Sequence, residues 1–363
     1  MHRTSPALSV ALVGAAMVAG AYAAPFVPNR NAEAVAVSPD GMLVATGKSG
    51  MSNSEFPPRP HPSPNKCGLI EIWEAGTGKR LQRLETFGDL IRIEFSPDGR
   101  LLASTRLYRT TDGVDLHQVR VVDVATGEIS RDLNRCHAFA FSPDGRELAV
   151  VTRGKCMIYD LSSWKKLREI EPLADAVAIE FSPRGDTVAA VKQVDDKFKI
   201  SLCDAQSGEE IAVSPGLPRP FYSVRFSPDG GHLATGLESG ILLWDVAGAE
   251  ADGLQAVGQF KTGSGEFEHP FFSPDGQILA AGNQQNGDVV MWEIETNKEL
   301  RRFSFDRGTF HSFIRRRDEE LVRPERDPAR FTFTPDGAAF LSGSNGGVIR
   351  TISSGQEVRR LDQ

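Results

Sequence analysis

Four cysteines are spread across 363 residues, and no two of Cys67, Cys136, Cys156 and Cys203 form a C-x-x-C pair. No redox or metal motif of that spacing is present. They read as buried or partly buried thiols, with a disulfide between some pair left open. The chain also lacks G-x-S-x-G, H-E-x-x-H and EF-hand signatures. One near-miss, "GMLVATGKS" from Gly41, puts five residues between Gly41 and Gly47 where a phosphate loop needs four. It reads as a strand. A basic excess is missing too: the formal net charge is −7, which excludes the broad electrostatic footprint of a general nucleic-acid binder. Helical periodicity is absent.

Long apolar runs are scarce. The one of note is "ALSVALVGAAMVAG", Ala7 to Gly20, preceded by His2 and Arg3 and followed by Ala21-Tyr22-Ala23. It is short for a membrane-spanning helix, which needs about 20 apolar residues, and its flanks fit a cleavable signal. Residues 1–23 are therefore expected to be a signal peptide and residues 24–363 one exported domain, periplasmic or extracellular. An uncleaved membrane anchor is the alternative.

What the sequence has in abundance is one motif. "EFSPDGRLLA" at Glu94 returns as "AFSPDGRELA" at Ala140, "EFSPRGDTVA" at Glu180, "RFSPDGGHLA" at Arg225 and "FFSPDGQILA" at Phe271. Weaker copies begin at Ala36 and Thr332. The hydroxyl residues of the copies are Ser38, Ser96, Ser142, Ser182, Ser227, Ser273 and Thr334, spaced 40 to 61 residues apart. Internal periods of this size mark repeat architectures.

Each copy follows the same local logic. Apolar residues alternate ahead of the hydroxyl, as Ile93 and Phe95 do, which is the period of a strand. Pro then sets φ for a turn, and Gly supplies positive φ where other residues would strain. "SPDG" is thus a hairpin clamp, and Arg184 in the Asp position is compatible with a type I turn. Further on, Val44-Ala45, Leu102-Ala103, Leu148-Ala149, Val188-Ala189, Leu233-Ala234 and Leu279-Ala280 repeat a small residue that suits close approach of packed faces. A third strand ends in a second turn headed by Glu74, Asp123, Asp160, Asp204, Asp245 or Glu293, each placed to accept backbone N–H bonds; Thr351 breaks this series. A polar fourth strand follows. The expected fold is all-β: a seven-bladed β-propeller of four-stranded antiparallel blades.

These residues resemble the WD40-repeat family, with Trp244-Asp245 as its signature dipeptide and Trp73-Glu74, Trp292-Glu293 and Tyr159-Asp160 as approximations. The Gly-His pair of that family is missing ahead of the first strands. The resemblance implies a rigid, non-catalytic ring that binds a protein or peptide and needs no cofactor, metal or nucleic acid. "VIRTIS" and "EVRRLDQ" supply the last two strands of blade seven, and Pro25 and Pro28 suit an interior strand poorly, so little strand exchange is expected where the ring closes. The alternatives are a propeller enzyme, such as a lactonase-like hydrolase or quinoprotein-like dehydrogenase with its site at the channel mouth, or an envelope propeller like that of the Tol system. The companion domain that a Tol-type propeller carries is missing here.

Three interruptions of the repeat stand out: residues 48–66, 107–116 and 306–328. Strand order predicts that all three emerge on one face and, once a ring closes, in one sector. Phe56, His61, Tyr108 and Phe313 are candidate contact residues, with Arg315, Arg316, Arg317, Arg323 and Arg326 as a basic lip. The competing reading is a solvated loop whose arginines pair with Asp318, Glu319, Glu320 and Glu325. The dispersed histidines His117, His137, His232, His269 and His311 read as packing or surface residues, with a metal site at the mouth left open.

Overall fold

The computed structural model describes residues 34–51, 67–109, 115–217, 223–237, 240–250, 253–261, 267–283, 288–303, 331–337, 339–342, 348–351 and 357–360. Its strands fall into four-stranded antiparallel sheets, each in simple chain order. The first comprises β1 (Ala34–Val37), β2 (Leu43–Met51), β3 (Cys67–Glu74) and β4 (Arg80–Phe87). The second has β5 (Asp89–Phe95), β6 (Leu101–Arg109), β7 (Asp115–Asp123) and β8 (Ile129–Asn134). The third has β9 (Cys136–Phe141), β10 (Glu147–Thr152), β11 (Lys155–Asp160) and β12 (Lys166–Glu169). The fourth has β13 (Ala178–Phe181), β14 (Thr187–Val194), β15 (Lys197–Asp204) and β16 (Glu210–Val213). The fifth has β17 (Val224–Phe226), β18 (His232–Leu237), β19 (Gly240–Glu250) and β20 (Gly253–Lys261). The sixth has β21 (Phe267–Phe272), β22 (Ile278–Asn283), β23 (Val289–Glu293) and β24 (Lys298–Phe303). The last strands, β25 (Phe331–Phe333), β26 (Ala339–Ser342), β27 (Val348–Thr351) and β28 (Glu357–Arg360), pair with one another. No strand is exchanged between sheets among the described residues.

This is an all-β propeller of four-stranded antiparallel blades. The apolar cores lie between blades rather than within them. Ala149 and Ile158 of the third sheet meet Phe181 and Val188 of the fourth; Ile200 and Leu202 meet Phe226 and Trp244; Met291 and Phe303 meet Phe333. β25 also lies beside β1. The repeated alanines after the clamp, Ala45, Ala103, Ala149, Ala189, Ala234 and Ala280, are fully buried, as close face-to-face approach requires.

The clamp works through its side chains as well as its backbone. Leu101 N–H donates to Ser96 Oγ at 2.9 Å, Ser96 Oγ donates to Asp98 Oδ1 at 2.6 Å, and Arg100 N–H donates to the same carboxylate at 3.0 Å. Gly99 takes φ +71°. The hydroxyl-to-aspartate bond recurs at Ser38, Ser142, Ser227, Ser273 and Thr334. In the fourth blade, where Arg184 stands in the Asp position, Asp186 takes the role: Ser182 Oγ donates to its Oδ1 at 2.7 Å.

The second turn also behaves as its acidic residue suggests. Asp204 accepts from the N–H groups of Gln206 and Ser207 at 2.9 and 2.7 Å, and Asp160 accepts from Ser163 N–H at 2.7 Å. Left-handed geometry follows at Gly78, Gly127 and Gly208, at Asn297, and at Trp164, where a Gly or Asn would be expected. Just before this turn every strand-three to strand-four pairing shifts register, as at Ile72/Trp73, Val121/Val122 and Leu202/Cys203. A bulge repeated at one place gives each blade the same local twist.

Blade five departs from the pattern. β19 continues past Asp245, and Glu250 pairs with Gly253 at the tip of an extended hairpin. Leu254 is buried against the fourth blade. Gly253 has φ +84°, and a Cβ there would come within 2.6 Å of the Val213 carbonyl oxygen.

Candidate functional site

Antiparallel order puts the end of strand two, the start of strand three and every blade-to-blade link on one face. The chain leaves β2 at Met51 and re-enters at Cys67, leaves β6 at Arg109 and re-enters at Asp115, and leaves β24 at Phe303 and re-enters at Phe331. Phe56, His61, Phe313, Arg315, Arg316, Arg317, Arg323 and Arg326 lie outside the described residues. Tyr108 sits on β6, its backbone paired with Leu116.

Beneath the β6–β7 excursion the structure gathers polar side chains that sequence spacing does not connect. Arg106 is buried. The rings of His117 and His137 meet edge-on with centroids 6.3 Å apart. His137 Nε2 donates to the Ala176 carbonyl at 2.8 Å, and burial lowers its pKa. No group of three metal-ligating side chains occurs among the described residues. Cys136, Cys156 and Cys203 are free, buried thiols. Burial pushes them up to about 12, 12 and 11 respectively, so they are poor nucleophiles. Cys67's side chain lies outside the described residues.

The inner strands carry a charged cluster at one position of the repeat register. Glu94, Glu180 and Arg225 occupy the same place, two residues before the clamp serine, in blades two, four and five. Arg225 Nη1 lies 3.5 Å from Glu180 Oε2, and its guanidinium stacks 5.2 Å over the Phe271 ring. Arg92 pairs with Glu94, covers the Phe139 ring at 4.9 Å and donates to the Phe139 carbonyl at 3.2 Å. Glu180, with its side chain 20% exposed, has its pKa raised to about 7 by burial, against the pull of Arg225 and Arg92. Such a cluster ties blades two to six together about the axis.

A cavity of 430 Å³ opens between blades one and two, lined by Ile70, Leu84, Thr86, Ser104, Arg120 and Ile129 among others. Arg120 is 8% exposed and forks onto Asp132, with Nε to Oδ1 at 2.7 Å and Nη2 to Oδ2 at 2.8 Å.

The fifth repeat carries a family match. Residues 217–245, which span β17, β18 and β19 as far as Asp245, match the model of the WD domain, G-beta repeat. The chain carries a WD40 repeat there and is similar to WD-repeat proteins. Over 157 residues it is 31% identical to the serine-threonine kinase receptor-associated protein of Bos taurus and 30% identical to that of Homo sapiens, covering 42% of this chain and 44% of each relative. Over 169 residues it is 28% identical to Protein HIR1 of Yarrowia lipolytica, covering 39% of this chain and 15% of that relative. The chain thus spans less than half the length of the curated relatives it matches.

In blades one and five the strand-three tryptophan is anchored by a threonine hydroxyl: Trp73 Nε1 donates to Thr46 Oγ1 at 3.0 Å, and Trp244 Nε1 to Thr235 Oγ1 at 2.9 Å. These relatives are WD-repeat proteins rather than lactonase-like or quinoprotein-like propeller enzymes. They are also intracellular proteins of eukaryotes, and this corrects the expectation of export drawn from the apolar N-terminal run. A stretch of small apolar residues is a compositional signal that several kinds of segment share, and residues 1–33 lie outside the described part. Among the described residues no helix is long and apolar enough to cross a membrane.

Proposed function

We propose that this WD40 protein is a non-catalytic scaffold, a single seven-bladed ring over about residues 24–363, that binds a protein or peptide partner through the face bearing its three long excursions. The observation that carries this reading is topological: the strand ends that flank these three excursions lie on one side. Blades one, two and seven would then be neighbours, so the excursions share a sector. Elaborated loops on rigid scaffolds are where recognition concentrates. Phe56, His61, Tyr108 and Phe313 would supply contact area, and Arg315, Arg316, Arg317, Arg323 and Arg326 charge complementary to an acidic partner surface. The relatives' description as receptor-associated accords with an interaction role.

The test compares partner capture by the parent chain and by a variant with Arg315, Arg316 and Arg317 all changed to Ala, using quantitative mass spectrometry. Specific partners should fall at least fivefold while the melting temperature stays put, because surface changes cost about 0.5 kcal/mol or less. An unchanged partner profile would remove the basic lip from the reading.

A further inference from the structure

We propose that the cavity between blades one and two is a binding site for a primary carboxamide on a short aliphatic stem, such as a small amide or a glutamine side chain. The seam differs in polarity from the junction of blades five and six. Arg120 and Ser104 stand on blade-two strands where blade six has Val290 and Ala281, both fully buried. The result is an open space lined partly by donors and acceptors.

Thr86, 1% exposed, holds its Oγ1 there without a hydrogen-bond partner. Arg120 spends Nε and one edge of Nη2 on Asp132, and its Nη1 makes no hydrogen bond among the described residues. Ser104, 2% exposed, is buried beside it. A buried hydroxyl left unpaired costs about 1–3 kcal/mol, so a guest that satisfies it gains that term on binding.

The charges select the kind of guest. Asp132 already neutralises Arg120, so the pair that borders the cavity carries no net charge. A carboxylate guest would meet the Asp132 carboxylate beside Arg120; an ammonium would meet the Arg120 guanidinium. A carboxamide meets both sides: its oxygen accepts from Arg120 and a hydroxyl, and its NH₂ donates to Thr86 Oγ1. The stem would lie along Ile70, Leu84, Val122 and Ile129, which are apolar lining residues.

The experiment is a titration of the full chain with hexanamide, hexanoate and hexylamine, followed by ligand-observed NMR, and with two pentapeptides that differ by Gln against Glu. The amide and the Gln peptide should bind at least tenfold more tightly than their charged counterparts. Thr86→Val should abolish that preference without lowering the melting temperature, Thr86→Ser should keep it, and Ser104→Leu should fill the space and block both probes. Equal binding by free amide and peptide points to a small molecule, and tenfold tighter binding by the peptide points to a partner's side chain. Preference for hexanoate, or no saturable binding of any probe with the fold intact, overturns the proposal and leaves a cavity that holds only water.

Discussion

A serine, an aspartate and a glycine close most of the hairpins on which these blades are built, and the fourth blade shows which of them is movable. Asp186 stands two positions beyond the usual place yet accepts the Ser182 hydroxyl, so the chemistry constrains the carboxylate's location in space rather than in sequence. Asp186→Ala should therefore destabilise the protein by about 1 kcal/mol in urea titration, and adding Arg184→Asp should restore most of that loss. Ser142→Ala, which strips both Asp144 and Glu147 N–H of a partner, should cost about 1–2 kcal/mol. The clamp carboxylates Asp144, Asp186, Asp229 and Asp275 have lowered pKa values, chiefly through the serine hydroxyl bond. Their contribution is present above the unfolded carboxylate range and is lost as pH falls through the folded values.

Glu180 has the opposite sign. Its folded pKa, raised from 4.5 to about 7, means that the native state holds a proton the unfolded chain releases earlier, so stability falls as pH rises between those values. The groups that face it are Arg225, Arg92 and Glu94, together with the Phe226 N–H. Stability curves of Glu180→Gln and the parent should diverge in the variant's favour by up to about 3 kcal/mol from pH 4 to pH 8. Parallel curves would mean that Arg225 keeps the carboxylate ionised throughout.

At the scale of strands and hairpins, the excursion of blade five makes the firmest prediction. Leu254 lies just past a hairpin tip, where a leucine would ordinarily be a surface residue, yet it is fully buried against blade four. Leu254→Ala should cost about 2–4 kcal/mol by chemical denaturation, whereas Leu300→Ala, at an exposed site on β24, should cost under about 0.5 kcal/mol.

The same hairpin shows what could be read beforehand. Strand alternation, the SPDG turns, the small residues and the acidic second turn are short-range features with their cause in neighbouring residues, and the sequence displays them openly. The continuation of β19 past Asp245 depends on where Leu254 finds a core, which is information carried by another blade. The repeated bulge likewise arises from pairing between strands. The cavity at Thr86 and Arg120 joins residues from two sheets, and only the seam's geometry unites them. The charged inner ring was half legible: Glu94, Glu180 and Arg225 fall in one column of the repeat alignment, but their meeting requires the axis.

For the whole molecule, stability comes from junctions. Each blade's apolar faces are covered by its neighbours, so the parts stand or fall together. Phe333 contributes to the core of blade six, and β25 flanks β1, so removal of residues 331–360 should expose two junctions at once. A chain ended at 330 should lose its single cooperative urea transition or fail to fold. Retention of a sharp transition at the parent's midpoint would show that the remaining sheets suffice alone.

Because each sheet is knit from consecutive strands, no hydrogen-bonded ladder among the described residues joins the first sheet to the last. The order of blades along the polypeptide is therefore separable from their order around the axis. Opening the backbone at Arg135, between β8 and β9, and linking residue 363 to residue 34 would leave every strand pairing intact. The rearranged gene product should assemble into the same circle.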